Sequence, residues 1–266
     1  MLALDDHVLA RDLADEAGRL LLGLRAEAAT TEGDSDALRK AGDRQSHELL
    51  MARLAAERPG DAVLSEEGVD DKARLTADRV WIVDPLDGTR EFGIAGRPDW
   101  AVHVALWVRA APGEHAGPEA VGRLAAGAVA LPAQGRVLST PDPGVAPGEG
   151  HAPLRIVVSE SRAPQLVRDV AARIGAQLVT CGSAGAKVAT VLSGETDAYL
   201  HAGGFYEWDT AAPVAVARAA GFHVSRIDGS DVSYNRDNPL LPDILVCRPA
   251  IAGLLLEAIR EVTHAN

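Results

Sequence analysis

The segment Asp84-Pro85-Leu86-Asp87-Gly88-Thr89 sets two carboxylates three residues apart at the end of an apolar run, Val80-Trp81-Ile82-Val83. A turn-forming glycine and a hydroxyl follow directly. Carboxylate oxygens suit a hard divalent cation, the amides of a tight turn suit anionic oxygens, and a hydroxyl can sit beside an attacking water. Asp-Gly and Asp-Pro are also common turn dipeptides, so this segment alone fits an ordinary turn as well.

Two further acidic segments share the pattern. Ser65-Glu66-Glu67 follows the short apolar run Ala62-Val63-Leu64, and a carboxylate at a strand end sits where sheet proteins bind ligands. Its alternative is a solvated pair in a loop, with Asp70 and Asp71 close behind. Glu207-Trp208-Asp209-Thr210-Ala211-Ala212 places an acid at the start of an Ala- and Val-rich helix. Asp209 as a simple N-cap would explain that, although Tyr206 and Trp208 flank it. Together Glu66, Asp84, Asp87 and Asp209 form a donor set for two or three Mg²⁺ ions about 4 Å apart. Zinc fits poorly, because there is no HExxH or CxxC and the eight histidines are scattered. His103 alternates with core valines and reads as a packed residue.

The elements that position these groups follow from periodicity. Asp5 or Asp6 caps a first helix with Leu9, Leu13, Ala17, Leu20, Leu21 and Leu24 at helical spacing. Residues 30–36 read as a loop, and a second helix runs from about Gln45 to Glu57, ending at Arg58-Pro59-Gly60. Strands are expected at Ala62–Ser65, Val80–Val83 and Ala101–Val108. Residues 110–120 and 139–153 are rich in Pro and Gly, and the second stretch marks a boundary between a lobe of residues 1–150 and a lobe of residues 151–266. Beyond it strands and helices alternate: strands at Arg155–Val158, Leu178–Cys181, Ala198–His201 and Asp243–Cys247, and helices at Pro164–Ile174, Ala184–Leu192, Thr210–Ala220 and Ala250–Val262. This predicts an α/β lobe with its sheet covered by helices.

Composition narrows the function. The 266 residues are 47% hydrophobic but only 4% aromatic, so the core must be built mostly from Ala, Val and Leu. Apolar stretches are short and broken by charge, and the start of the chain lacks the pattern of a signal peptide, so neither a membrane span nor export is expected. Cys181 and Cys247 are expected to be free thiols in a cytoplasmic protein. A net charge of −12 repels nucleic acid polymers and anionic membranes, whereas bound divalent cations would still admit a small anionic substrate.

In order and spacing, SEE, DPLDGT and EWDTAA resemble the motifs of the Mg²⁺-dependent, lithium-sensitive phosphatase superfamily, which includes inositol monophosphatases, fructose-1,6-bisphosphatases and 3′(2′),5′-bisphosphate nucleotidases. The likeness covers about residues 40 to 221. Arg90-Glu91-Phe92 after DPLDGT, and the wording of EWDTAA, are most similar to the bacterial CysQ-type group, which dephosphorylates 3′-phosphoadenosine 5′-phosphate. Gly182-Ser183-Ala184-Gly185-Ala186-Lys187 resembles the family's GSSxxK segment, and Tyr234-Asn235 a late YN pair. Lys40-Ala41 stands where the family usually has Val-Thr.

This resemblance implies an α/β fold of the inositol monophosphatase-like αβαβα sandwich, with a layered α+β N-terminal lobe and an α/β C-terminal lobe. It implies that Glu66, Asp84, the Leu86 carbonyl and Asp87 ligate Mg²⁺ and that Asp209 completes a second metal site. Gly88 and Thr89 would bind phosphate through backbone N–H groups, and Asp43, Glu66 and Thr89 would be catalytic, with Asp43 in a mobile first loop helping to activate the water that Thr89 orients. Gly182, Lys187 and Asp209 would contact substrate. For a second phosphate, Ser159 and Arg162 are the expected partners, and for a base Trp100, Phe205, Tyr206 and Trp208 are the available aromatics. The expected activity is removal of the 3′-phosphate to give AMP and phosphate. The alternatives are an inositol monophosphatase or fructose-1,6-bisphosphatase with the same metal site, and a non-catalytic Mg²⁺- or phosphate-binding regulatory module. Relatives in the superfamily are often dimers, which makes a homodimer one option that the sequence itself does not decide.

Overall fold

The computed structural model describes residues 5–30, 34–111, 121–143, 147–160 and 163–265. The first sheet holds β1 (Ala62–Ser65), β2 (Arg79–Asp87), β3 (Ala101–Arg109), β4 (Gly122–Leu131) and β5 (Arg136–Ser139) in sequence order. β1 and β2 are parallel and the remaining pairs antiparallel. The second sheet contains β6 (Arg155–Ser159), β7 (Gln177–Cys181), β8 (Ala198–Tyr206), β9 (His223–Ser225) and β10 (Leu240–Cys247) in the order β7-β6-β8-β10-β9.

Helices separate and cover the sheets. α1 (Asp6–Thr30) and α2 (Ser35–Glu57) bury Leu9, Leu13, Leu21, Leu50 and Leu54 against Trp81, Val83, Val102 and Val104. The other face of the first sheet, with Val80, Ile82 and Ala105, packs on α5 (Ala184–Leu192) and α6 (Glu207–Ala219), which also meet Tyr199, Ile244 and Val246 of the second sheet. α4 (Gln165–Ile174) and α7 (Pro249–Ala265) cover the far face of the second sheet. The result is the expected five-layer αβαβα sandwich, with a short helix α3 (Thr89–Phe92) after β2.

Because the first sheet is covered on both faces, Val80 to Asp87 are all buried, as are Ala101 to Trp107. Few aromatics suffice because small residues bring the layers close. A Cβ at Gly127 of β4 would lie 2.6 Å from Ala215 Cβ of α6, so this glycine lets the helix settle on the sheet.

Several boundaries move. α2 begins at Ser35 with Asp34 as its cap, ten residues before the expected start, so Asp43 lies on a helix rather than in a loop. α1 reaches Thr30, which shortens the expected connection; residues 31–33 lie outside the described residues. β4, β5 and β9 were not expected from the pattern. β8 runs on to Tyr206 and α6 starts at Glu207, so Asp209 occupies the third helical position and Tyr206 is the N-cap. Asp5, rather than Asp6, accepts the His7 amide at 2.8 Å at the start of α1. Cys181 and Cys247 are free. Among the described residues no helix is long and apolar enough to cross a membrane.

Asp197 ties the segment that enters the second sheet. Its buried carboxylate accepts the His151 and Arg155 amides at 3.1 and 2.7 Å and Arg248 Nε at 3.1 Å. Burial alone would raise its pKa, but the hydrogen bonds from those amides and the charge of Arg248 outweigh it and hold the group below its ordinary value of 3.8. A lowered folded pKa means stability that is present above pH 3.8 and lost as pH falls below it. Asp197→Ala, which leaves Arg248 without its carboxylate partner and two amides unpaired, is expected to cost about 3 kcal/mol in urea unfolding at pH 7. Asp197→Asn should flatten the acid limb of the stability curve, and an unchanged limb would contradict this assignment.

Candidate active site

The two aspartates of β2 are brought together by a defect in the strand. Residues three apart on a regular strand face opposite sides of the sheet. Here Asp84 pairs with His103 and Asp87 with Ala101, so three steps on β2 match two on β3. That bulge turns both carboxylates toward the α5–α6 side. Asp84 Oδ1 accepts the Leu86 amide at 3.0 Å across the bulge, and Ser46 Oγ of α2 donates to the Pro85 carbonyl at 2.7 Å, fixing its shape. Leu86 points the other way, into the core beneath α1 and α2.

Asp209 arrives from α6. Its Oδ2 accepts the Tyr206 amide at 2.6 Å, which satisfies one of the donors a helix start leaves open. One ligand-type oxygen from each of Asp84, Asp87 and Asp209 lies within 4.8 Å of the others. Asp84 Oδ2 is buried and has no hydrogen-bond partner. Burial, then the charges of Glu66, Asp87 and Asp209, pushes the Asp84 carboxyl well above its usual range. Burial and Asp87 raise Asp209 to about 6. Asp87 alone among these is lowered: burial opposes it, but His103, Lys187 and the Gly185 amide at 2.7 Å favour its charge.

Glu66 joins less tightly. It is an exposed residue whose carboxyl comes within hydrogen-bonding reach of Asp84, and its pKa rises to about 7 through burial of the group itself and the charges of Asp209 and Asp87. Two carboxylates have no proton to share, so either a proton or a cation must lie between them. Three all-oxygen donors around an orphaned, buried carboxylate oxygen fit a hard divalent cation. Glu66, Asp84, Asp87 and Asp209 would hold it.

Thr89 begins α3 directly after Gly88, whose φ of 84° favours glycine. Thr89 Oγ1 lies 3.2 Å from Asp43 Oδ1 and 3.1 Å from the Leu86 carbonyl, so the half-buried Asp43 is brought to the motif by α2. Burial, then Glu67, raises the Asp43 pKa to about 6.

A cavity of about 200 Å³ opens beside these groups, lined by Asp87, Gly88, Ser159, Lys187, Phe205 and Asp209 among others. Gly182 also lines it, but its amide donates to Asp99 at 2.7 Å and its carbonyl accepts from Lys187, so neither group is open to a ligand. Lys187 is buried, not solvated, with Nζ 5.4 Å from the Tyr199 ring centre. Burial lowers its pKa against the pull of Asp87. Trp100 is removed from the base-contact candidates: it is fully buried and packs edge-on against Phe92 at 5.0 Å. Phe205 packs on His201 at 4.7 Å, and Tyr206 stacks on Trp208 at 4.6 Å. Arg162 lies outside the described residues. A larger cavity of about 770 Å³, lined by Arg97, Glu160 and Thr180, contains none of the clustered carboxylates and is not the chemical site.

Glu207 escaped the sequence reading. Both its oxygens accept backbone amides, Asn235 at 2.7 Å and Arg236 at 2.8 Å, while buried Arg74 donates to Asn235 Oδ1 and to the Arg236 carbonyl, each at 2.8 Å. The network fixes the start of α6. The Tyr234-Asn235 pair was its one visible signal.

Asp84→Asn removes a buried charge from a repelling set. The metal-free variant is expected to melt at or above the wild-type temperature, and added Mg²⁺ is expected to raise the melting temperature of the wild type but not of the variant. Thermal melts with and without Mg²⁺ check this, and an equal rise in both proteins would contradict the cation site.

Known proteins place the whole chain in a family. The Inositol monophosphatase family model matches residues 5–264. The chain is 52% identical over 249 residues to a 3′-phosphoadenosine 5′-phosphate phosphatase of Mycobacterium bovis, covering 92% of this chain and 90% of that protein. It is 28% identical over 257 residues to the 3′(2′),5′-bisphosphate nucleotidase CysQ of Escherichia coli, covering 90% and 96%. The fold matches CysQ from Bacteroides thetaiotaomicron with a TM-score of 0.73 at 27% identity, over 91% and 97% of the two chains. With a family match across almost its whole length and its carboxylates gathered where the motifs require, this chain belongs to the inositol monophosphatase family.

Proposed function

We propose that this protein is a Mg²⁺-dependent phosphomonoesterase that removes the 3′-phosphate of 3′-phosphoadenosine 5′-phosphate, giving AMP and phosphate. The observation that carries the reading is the set of three carboxylate oxygens within 4.8 Å of one another, set at the edge of a cavity that also holds Lys187. The 52% identity to a phosphatase of that substrate supports the choice of ester.

Two or three Mg²⁺ ions held by Glu66, Asp84, Asp87, the Leu86 carbonyl and Asp209 would offset the charge of the phosphate and make a water more acidic. The remaining work falls to the chain. Thr89 Oγ1, held between Asp43 and the Leu86 carbonyl, orients the attacking water, and Asp43 takes its proton. As the water oxygen bonds to phosphorus, the bond from phosphorus to the 3′ oxygen breaks, and that oxygen gains a proton from solvent. Gly88 lets the backbone approach the phosphate without a side chain in the way. Lys187 places positive charge in the wall of the same cavity, suited to the substrate's second phosphate together with Ser159. Phe205, in the cavity lining, offers the apolar surface that a base needs.

The test is phosphate release from 3′-phosphoadenosine 5′-phosphate, inositol 1-phosphate and fructose 1,6-bisphosphate at equal concentration with Mg²⁺. The nucleotide is expected to be hydrolysed fastest, and a preference for either other ester would assign the same site to that substrate instead. Thr89→Ala and Asp209→Asn are each expected to lower kcat/KM by about a hundredfold or more. No phosphate release from any ester by the folded protein with Mg²⁺ would favour a non-catalytic binding module.

A further inference from the structure

We propose that His103 is a positioning residue for the carboxylate cluster, tying the first turn of α6, which carries Asp209, to the β2 bulge, which carries Asp84 and Asp87. This rests on the cation-binding reading above. It concerns a side chain that stands behind the cluster, fully buried and outside the cavity lining.

His103 lies directly across from Asp84 in the β2–β3 register, on the same face of the sheet. Its Nδ1 is 3.1 Å from the Trp208 carbonyl in the first turn of α6. A carbonyl can only accept, so the ring carries a proton on Nδ1 and donates it there. The same Nδ1 is 4.0 Å from Asp84 Oδ2, and Nε2 is 3.1 Å from Asp87 Oδ2, out of line for a hydrogen bond. One ring thus touches both strand carboxylates and the helix that supplies the third.

The Glu207 network ties the start of α6 to residues 235 and 236 and not to the β2 bulge, and two features leave room for a direct tie to the sheet. Asp209 comes from an Ala-rich helix packed on the sheet by apolar contact, which is non-directional and does not fix a register along the sheet. The helix also contains Pro213, which has no amide to donate to the Asp209 carbonyl four residues back, so the first turn lacks one ladder bond. Space for the ring is reserved by Gly185 of α5, where a Cβ would lie 2.2 Å from His103 Nε2. The Gly185 amide meanwhile holds the same Asp87 oxygen that the ring approaches.

The experiment is titration of the metal-free, full-length protein with Mg²⁺ in the absence of substrate, read by calorimetry and by melting temperature. His103→Leu fills the space without a donor and is expected to raise the Mg²⁺ Kd by about 10- to 100-fold. His103→Asn keeps an amide nitrogen that can donate to the Trp208 carbonyl and should stay within about threefold of wild type. A folded Leu variant that melts lower without metal but has an unchanged Kd would show packing alone and overturn the proposal, as would an Asn variant as weak as Leu. If the Leu variant does not fold, Gly185→Ala, whose methyl would strike the ring, should raise Kd in the same way, and an unchanged Kd there overturns it. Absence of Mg²⁺ binding by the wild type would instead overturn the cation site itself.

Discussion

Mutual repulsion among buried carboxylates is the constraint around which this molecule is arranged. Asp84 has an oxygen with no partner, Glu66 comes within reach of it with a raised pKa, and Asp209 adds a third carboxylate from another layer. A chain does not gather such groups for stability, since each is more comfortable in water. Their proximity makes sense where a divalent cation supplies the missing attraction and inverts the local field. The acidic molecule can then attract an anion that its net charge of −12 would otherwise repel.

The architecture serves that gathering. One strand contributes Asp84 and Asp87, and only a bulge puts both on one side of the sheet. The helix bearing Asp209 is sandwiched between two sheets, held at its start by Glu207, Asn235 and buried Arg74. The long helix α2 delivers Asp43 to Thr89 from the opposite side of the same sheet. Each contribution comes from a different layer, so the site exists only when the layers are stacked. This couples folding of the sandwich to assembly of the cation site.

Local chemistry was legible in the sequence and long-range geometry was not. The acidic Asp-Pro-Leu-Asp-Gly-Thr motif, β1 at Ala62–Ser65 and α5 at Ala184–Leu192 announce themselves through residue type and apolar runs, although Asp84 to Asp87 lie on a bulged strand where a turn was expected. β4 did not, because its Gly- and Ala-rich sequence has a single β-branched residue, Val129, and is held by neighbours on both sides. α2 was cut short because its first turns are polar and face partly outward, which left nothing in the pattern to oppose the mobile loop that the resemblance implied for Asp43. Trp100 looked like a free aromatic, yet it is enclosed by Phe92 from the short helix just before it and by Arg25 from the distant α1. His103 was correctly read as packed. What it packs against depended on the register that sets it across from Asp84 and on α6 closing over it, neither of which its own neighbours in sequence encode.

The most direct test of the account is diffraction from crystals grown with Mn²⁺, using its anomalous signal to locate bound ions. The account predicts a peak enclosed by Asp84, Asp87 and Asp209, with Asp84 Oδ2 as one of its ligands. Fully occupied Mn²⁺ elsewhere, with these carboxylates protonated and hydrogen-bonded to one another, would contradict it.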